Sequence, residues 1–179
     1  MSDNWFGRKL LISGADLYKP TLVWLYPFSS RAGHAGFYWS VKHGKRVPVC
    51  LDSYAELVTS GELVQDPWWW VSRNFRRVQP GDPIFIYTGD EDAGIVGFAF
   101  AGNLRVRSDR QGDWYQLRMH LDIPLCQELV THRPVTAPIV RRWLQDQKGA
   151  VEEITPFAKK IDRRLSDIPQ YRRLIRRME

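Results

Sequence analysis

"QPGDPIFIYTGDEDAGIVGFAFAGNLRVRSD", residues 79–109, holds two apolar runs kept apart by the six residues "GDEDAG". The first run, Pro83 to Tyr87, is short, β-branched and aromatic, with no polar stripe for a helix to turn outward. It reads as a buried strand. The second, Ala93 to Asp109, is long for a strand but begins with the same composition. "GDEDAG" is turn chemistry, and a tip of that length fits a hairpin carrying its own small turn. Residues 83–88 are therefore expected to pair antiparallel with residues 94–103. Pro80–Gly81, just upstream, supplies the turn that launches the hairpin.

Working outward, the neighbours are sheet-like on both sides. "TLVWLYPF" (21–28) reads as a strand, and "AGHAGFYWSVKH" (32–43) as a Gly-punctuated loop entering an extended segment. Ser53 is placed to cap a short helix, "YAELVTSGEL", ending near Gly61. "DPWWWVSRNF" (66–75) sets three tryptophans side by side, and "DWYQLRMHLDIPL" (113–125) alternates apolar and polar residues as a half-buried strand does. Helical signals come later. Thr136 sits at an N-cap position ahead of "APIVRRWLQDQ", and Thr155–Pro156 opens "FAKKIDRRL" and "PQYRRLIRRM". With strands central and helices flanking, residues 1–179 form one α+β domain around a strongly curved sheet or small β-barrel, ending in a basic helical segment at about 155–179.

The charge is unevenly placed. The chain carries +6, and Ala158–Glu179 holds eight Lys/Arg against three Asp/Glu, so it supplies five of those six charges. A basic face of that kind suits a polyanion. Aromatic residues make up 13% of the chain, enough to provide stacking surfaces besides a core. No apolar run reaches the roughly 18 residues of a membrane span, and the first residues lack the pattern of a secretory signal. A cytoplasmic protein without membrane contact is expected, with Cys50 and Cys126 reduced.

Several chemistries find no support. The four histidines and two cysteines show no ligand spacing, so no metal is expected. There is no nucleophile elbow, Walker loop or dinucleotide fingerprint, so neither a catalytic nucleophile nor a cofactor is expected. What remains is aromatic residues interleaved with Arg, Asn, Ser and Thr. Those are the types that stack a flipped base and bond its edge.

At "SRNFRRVQPGDPIFIYTGDEDAGIVGFAFA" (72–101) the chain resembles an EVE domain of the PUA-like superfamily, to which the YTH and ASCH modules also belong. The resemblance is carried by Arg73-Asn74-Phe75, Gly81-Asp82, the strand ending at Tyr87, Gly94-Ile95-Val96-Gly97 and Asp109. "HRPVT" (132–136), "RRLS" (163–166) and Trp24 extend it, and it covers about residues 68–166. Three features depart from the family pattern. Thr88-Gly89 stands where His-Ser is usual, Phe100 where an acid is usual, and "YPFSSRAG" where Lys-Ser-Glu-Pro is usual.

The resemblance implies a PUA-like small curved β-barrel flanked by helices that reads a modified base, with modified cytosine in DNA ahead of RNA. Some relatives are fused to nucleases. No nuclease motif stands here, so the implied module is a reader without enzymatic activity that acts with an effector such as a nuclease in trans. Trp69 and Trp24 are expected to stack on the base, with Tyr87 and Thr88 in the pocket wall. Ser72 and Asn74 would bond the base edge, and Arg73 the edge or a flanking phosphate. Arg76, Arg77, Arg163 and Arg164 would meet the phosphates. Strand alternation then turns Trp68 and Trp70 into the core. The competing readings are an RNA-binding PUA-like module, a nucleotide hydrolase using Asp82 or Asp109, and a protein-interaction module built on the basic helix.

Overall fold

The computed structural model describes residues 22–28, 39–42, 45–48, 68–88, 94–110, 112–145 and 153–178. The expected Ser53-capped helix and the "GDEDAG" tip up to residue 93 lie outside them, as does Cys50. The strands are β1 (Trp24–Pro27), β2 (Trp39–Lys42), β3 (Lys45–Pro48), β4 (Trp68–Val71), β5 (Pro83–Tyr87), β6 (Ile95–Asp109) and β7 (Gly112–Leu121). The helices are α1 (Ile123–His132), α2 (Ala137–Gln145), α3 (Ala158–Leu165) and α4 (Pro169–Met178). The fold is α+β.

β5 and β6 pair antiparallel, as the opening stretch implies, with Pro83 opposite Phe100 and Phe85 opposite Phe98. Pro80–Gly81 forms the turn before them. Asp82 N donates to the Gln79 carbonyl (3.0 Å), and Gly81 has φ 91°, the positive value that the third position of such a turn needs. The whole sheet runs β1-β5-β6-β7-β4, with β1 parallel to β5 and every other pair antiparallel. β2 and β3 form a separate two-stranded antiparallel sheet.

The five-stranded sheet curls until its edge strands approach one another. The Tyr26 hydroxyl on β1 donates to the Trp70 carbonyl on β4 (3.0 Å), and the Tyr26 ring meets Trp69 edge-on at 5.2 Å. Bulges assist the curl. One lies in β6 opposite Ile86/Tyr87, and another spans Ala101–Leu104 opposite Arg118.

Each face of the sheet has its own core. The concave face buries Trp24, Tyr26, Trp69, Phe75, Ile84, Ile86 and Leu117. The other face packs Leu25, Phe85, Tyr87 and Phe98 against the apolar sides of all four helices. β5 is buried along its whole length because it serves both cores, which explains why its sequence shows no alternation.

Two local devices join sheet to helices. At Gly94 the chain passes so close to α2's N-terminus that a Cβ would overlap the Val135 carbonyl oxygen and sit 2.7 Å from Thr136 Cα. Only glycine fits there. After β7, Asp122 caps α1 by accepting from Leu125 N (3.1 Å). The strand expected over 113–125 therefore stops at Leu121, and its last residues are already helical. On the outer side of β1, Ile154 N donates to the Val23 carbonyl (2.8 Å) and covers that edge.

Candidate nucleic-acid interface

The three tryptophans of β4 fix which side of the sheet is accessible. Trp69 is 1% exposed, lies opposite the buried Leu117 and packs on Tyr26 and Phe28. Trp70 is 36% exposed and Trp68 half-buried. The expected parity is thus reversed: Trp69 is core, while Trp68 and Trp70 face outward. The cause is the register with β7, which sets the inward Leu117 opposite Trp69 and the outward Arg118 and Gln116 opposite Trp68 and Trp70.

Trp24 is likewise core and not an open stacking wall. Its ring lies on Phe75 at 5.2 Å and 28° between planes, and its indole N–H donates to Asp82 Oδ2 (2.9 Å). The same oxygen accepts from Gln79 N (3.0 Å). Burial pushes the Asp82 carboxyl above its ordinary value, against the pull of those hydrogen bonds, and nearby Glu153 adds to the rise. Asp82 thereby ties the Pro80–Gly81 turn to β1, and a backbone hydrogen bond from Leu22 adds to that tie.

Between β4 and β5 the expected polar residues sit on a 3-10 turn, Arg73–Arg77. Ser72 Oγ accepts from Asn74 N (3.2 Å), so the serine caps the turn. Phe75 anchors the turn in the concave core, which leaves Arg73, Asn74, Arg76 and Arg77 exposed. Arg77 forms an ion pair with Glu153 at 3.1 Å. Tyr87 is buried on the helix side of the sheet, away from the other aromatic candidates. Thr88 beside it is 2% exposed, and its hydroxyl has no hydrogen-bond partner among the described residues. Arg163 and Arg164 are exposed on α3.

The structure therefore brings Trp24, Trp69 and the Ser72–Arg77 turn together. It assigns Tyr87, Arg163 and Arg164 to the helical layer.

The basic helical segment is expected from its charge, and a second group of residues, on the sheet, is not. On α3 and α4, Lys159, Lys160, Arg163, Arg164, Arg172, Arg173, Arg176 and Arg177 are all exposed. The acids within that stretch are Asp162 and Asp167, and Asp162 is engaged by the Tyr171 hydroxyl (3.0 Å). On the outer face of β4, β6 and β7, the register aligns Trp68 with Arg118, Trp70 and Arg105 with Gln116, and Arg107 with Trp114. The alternation Trp114-Gln116-Arg118 against Leu117-Met119 carried that signal, had β7 been used to orient β4.

Among the described residues no group of three His, Cys, Asp or Glu is placed to hold a metal, and no helix is long and apolar enough to cross a membrane. Compared with protein-family models, curated proteins and solved structures, the chain matches none of them.

Proposed function

We propose that the protein is a nucleic-acid-binding reader of the PUA-like, EVE type, which holds a phosphate backbone on its basic surface and takes up one base, a modified cytosine in DNA. The observation that carries the nucleic-acid reading is the run of eight exposed Lys/Arg on α3 and α4, set among only two acids. Such a surface releases counterions on meeting a polyanion, and that release drives binding without reading sequence. The curled sheet with an aromatic interior is compatible with a small PUA-like barrel.

Base uptake draws on two further features. The Ser72–Arg77 turn presents Asn74 beside three arginines, an amide among cations, which is the equipment for a base edge next to phosphates. The Thr88 hydroxyl is buried without a partner among the described residues, a state that costs about 1–3 kcal/mol until something hydrogen-bonds to it. Since Trp24 and Trp69 are already packed, uptake of a base between them requires the concave core to open.

The test is a titration of the protein with oligonucleotides alike except for one central base: C, 5-methyl-C, 5-hydroxymethyl-C, A or 6-methyl-A, each in DNA and RNA. A preference for one modified cytosine in DNA is expected, and Asn74→Ala should shrink it. Equal affinity for every oligonucleotide removes the reader reading and leaves general nucleic-acid binding. No binding to any of them at low salt removes both.

A further inference from the structure

The outer face of β4, β6 and β7 has no part in the base-uptake reading, yet it is the most unusual surface among the described residues. Cross-strand partners share a face, so Trp68, Trp70, Arg105, Arg107, Trp114, Gln116 and Arg118 all project to the same side. Trp70 and Trp114 are 36% and 41% exposed, and their rings meet edge-to-face at 5.8 Å and 82°. The Arg105 guanidinium lies 3.9 Å from the centre of the Trp68 ring, while its Nε donates to Gln116 Oε1 (2.9 Å). Gln116 is buried beneath these larger side chains.

These contacts hold the side chains in place before any ligand arrives. A perpendicular ring pair resists rotation of either ring, and the Gln116 bond fixes Arg105 over Trp68. The face alternates flat aromatic surface with positive charge, and the seven residues contain no acid. An apolar helix would bury three arginines against itself at a cost. An acidic peptide would meet the arginines but leave the indoles idle. A single strand of nucleic acid satisfies both, because its bases offer π-faces and its phosphates offer charge. A duplex cannot, since its bases are stacked on one another.

We propose that this face is a stacking platform for single-stranded nucleic acid, with bases on Trp70 and Trp114 and phosphates met by Arg107 and Arg118. It rests on the nucleic-acid reading above but not on base uptake, and it lies on the opposite side of the sheet from Trp69.

The probe is a fluorescein-labelled oligo-dT of about twelve nucleotides, within the site sizes known for such surfaces. It is compared with an abasic strand of equal length and with a duplex, by anisotropy at low salt. Trp70→Ala and Trp114→Ala should each weaken oligo-dT binding by about 5- to 100-fold, the effect of losing one stacked base. Duplex and abasic-strand binding should change less than twofold, and Trp70→Phe should restore most of the loss. Arg107→Ala should flatten the salt dependence on oligo-dT by about one unit.

If the wild type binds oligo-dT and both alanine variants bind it equally well, the platform is refuted and the nucleic-acid reading stands. If the wild type binds no strand, the nucleic-acid reading falls and this inference with it. If sedimentation shows that Trp114→Ala dissociates a dimer while oligo-dT affinity holds, the face joins two copies of this chain, and the platform is refuted.

Discussion

Trp69 and Trp70 are adjacent and chemically identical, yet the structure gives them opposite work. Trp69→Ala would leave a cavity among Tyr26, Phe28 and Leu117 and is expected to cost about 3–5 kcal/mol. Trp70→Ala removes a ring that is 36% exposed and leans on Trp114, and it should cost less, about 0.5–1.5 kcal/mol. Urea unfolding of the two variants measures both. The sequence names the three tryptophans but not their parity, because three equal residues carry no alternation. Only the β7 partners, Leu117 and Arg118, break the tie. Asp82 was legible as a turn residue, but nothing local reveals that its carboxylate accepts from an indole 58 positions earlier.

That carboxylate has a pH signature. Burial raises its pKa above 3.8, so the folded protein binds the proton more tightly than the unfolded chain does. The stability it contributes is fully present below 3.8 and is lost as pH rises through the folded value. Asp82→Asn cannot titrate. The wild type should therefore gain stability relative to Asp82→Asn as pH is lowered from 7.5 toward about 4, by at most about 1.4 kcal/mol per pH unit. A gap that stays constant, or narrows toward acid, would contradict the burial assignment. Asp82→Ala strands the Trp24 and Gln79 donors and should cost about 2–4 kcal/mol near neutral pH, a gap that widens toward acid as it does for Asp82→Asn.

At the scale of elements, the segments that could be read were those whose local signals agree with their final neighbours. β5, α2 and α3 each had a boundary signal close to the right place: Pro80–Gly81, Thr136, and Thr155–Pro156, which opens a 3-10 turn (Thr155–Phe157) leading into α3. α1 was missed because the alternation of β7 runs unbroken into Ile123 and Leu125. Asp122 followed by Pro124 is itself a helix start, with a capping carboxylate and a proline in the first turn. Asp122→Ala should destabilise the protein by about 0.5–2 kcal/mol, because it removes the acceptor for Leu125 N. Asp122→Ser should recover most of that loss, and hydrogen exchange at Leu125 and Cys126 would localise both effects. Nor could the bulge at Gly102 be read from composition. A Cβ there would meet His120 Nε2 at 2.9 Å and Arg118 Cβ at 3.1 Å, neighbours set by pairing and not by sequence proximity.

At the scale of the whole molecule, the four arginines expected to meet phosphates fall into two sets on opposite sides of the curled sheet. Arg76 and Arg77 ride the turn anchored in the concave core, whereas Arg163 and Arg164 belong to the helical layer with α4. A single strand can engage both sets only by passing around the sheet, and salt dependence tells whether it does. Each neutralised phosphate contributes about −0.7 to −0.9 to the log–log slope, so four or five contacts give about −3 to −5. If the basic helices carry the backbone, Arg163→Ala and Arg164→Ala should each flatten the slope by about one unit and leave base preference intact. Arg76→Ala should do the same only if the strand reaches the turn. Arg77 differs from its neighbour because it already faces Glu153 at 3.1 Å, and a phosphate would have to compete with that carboxylate. Arg77→Ala should therefore flatten the slope by less than Arg76→Ala, and Glu153→Gln should strengthen binding by releasing the guanidinium. A Glu153→Gln variant that binds no more tightly, together with an unchanged slope for Arg76→Ala, would confine the phosphate contacts to the helical side.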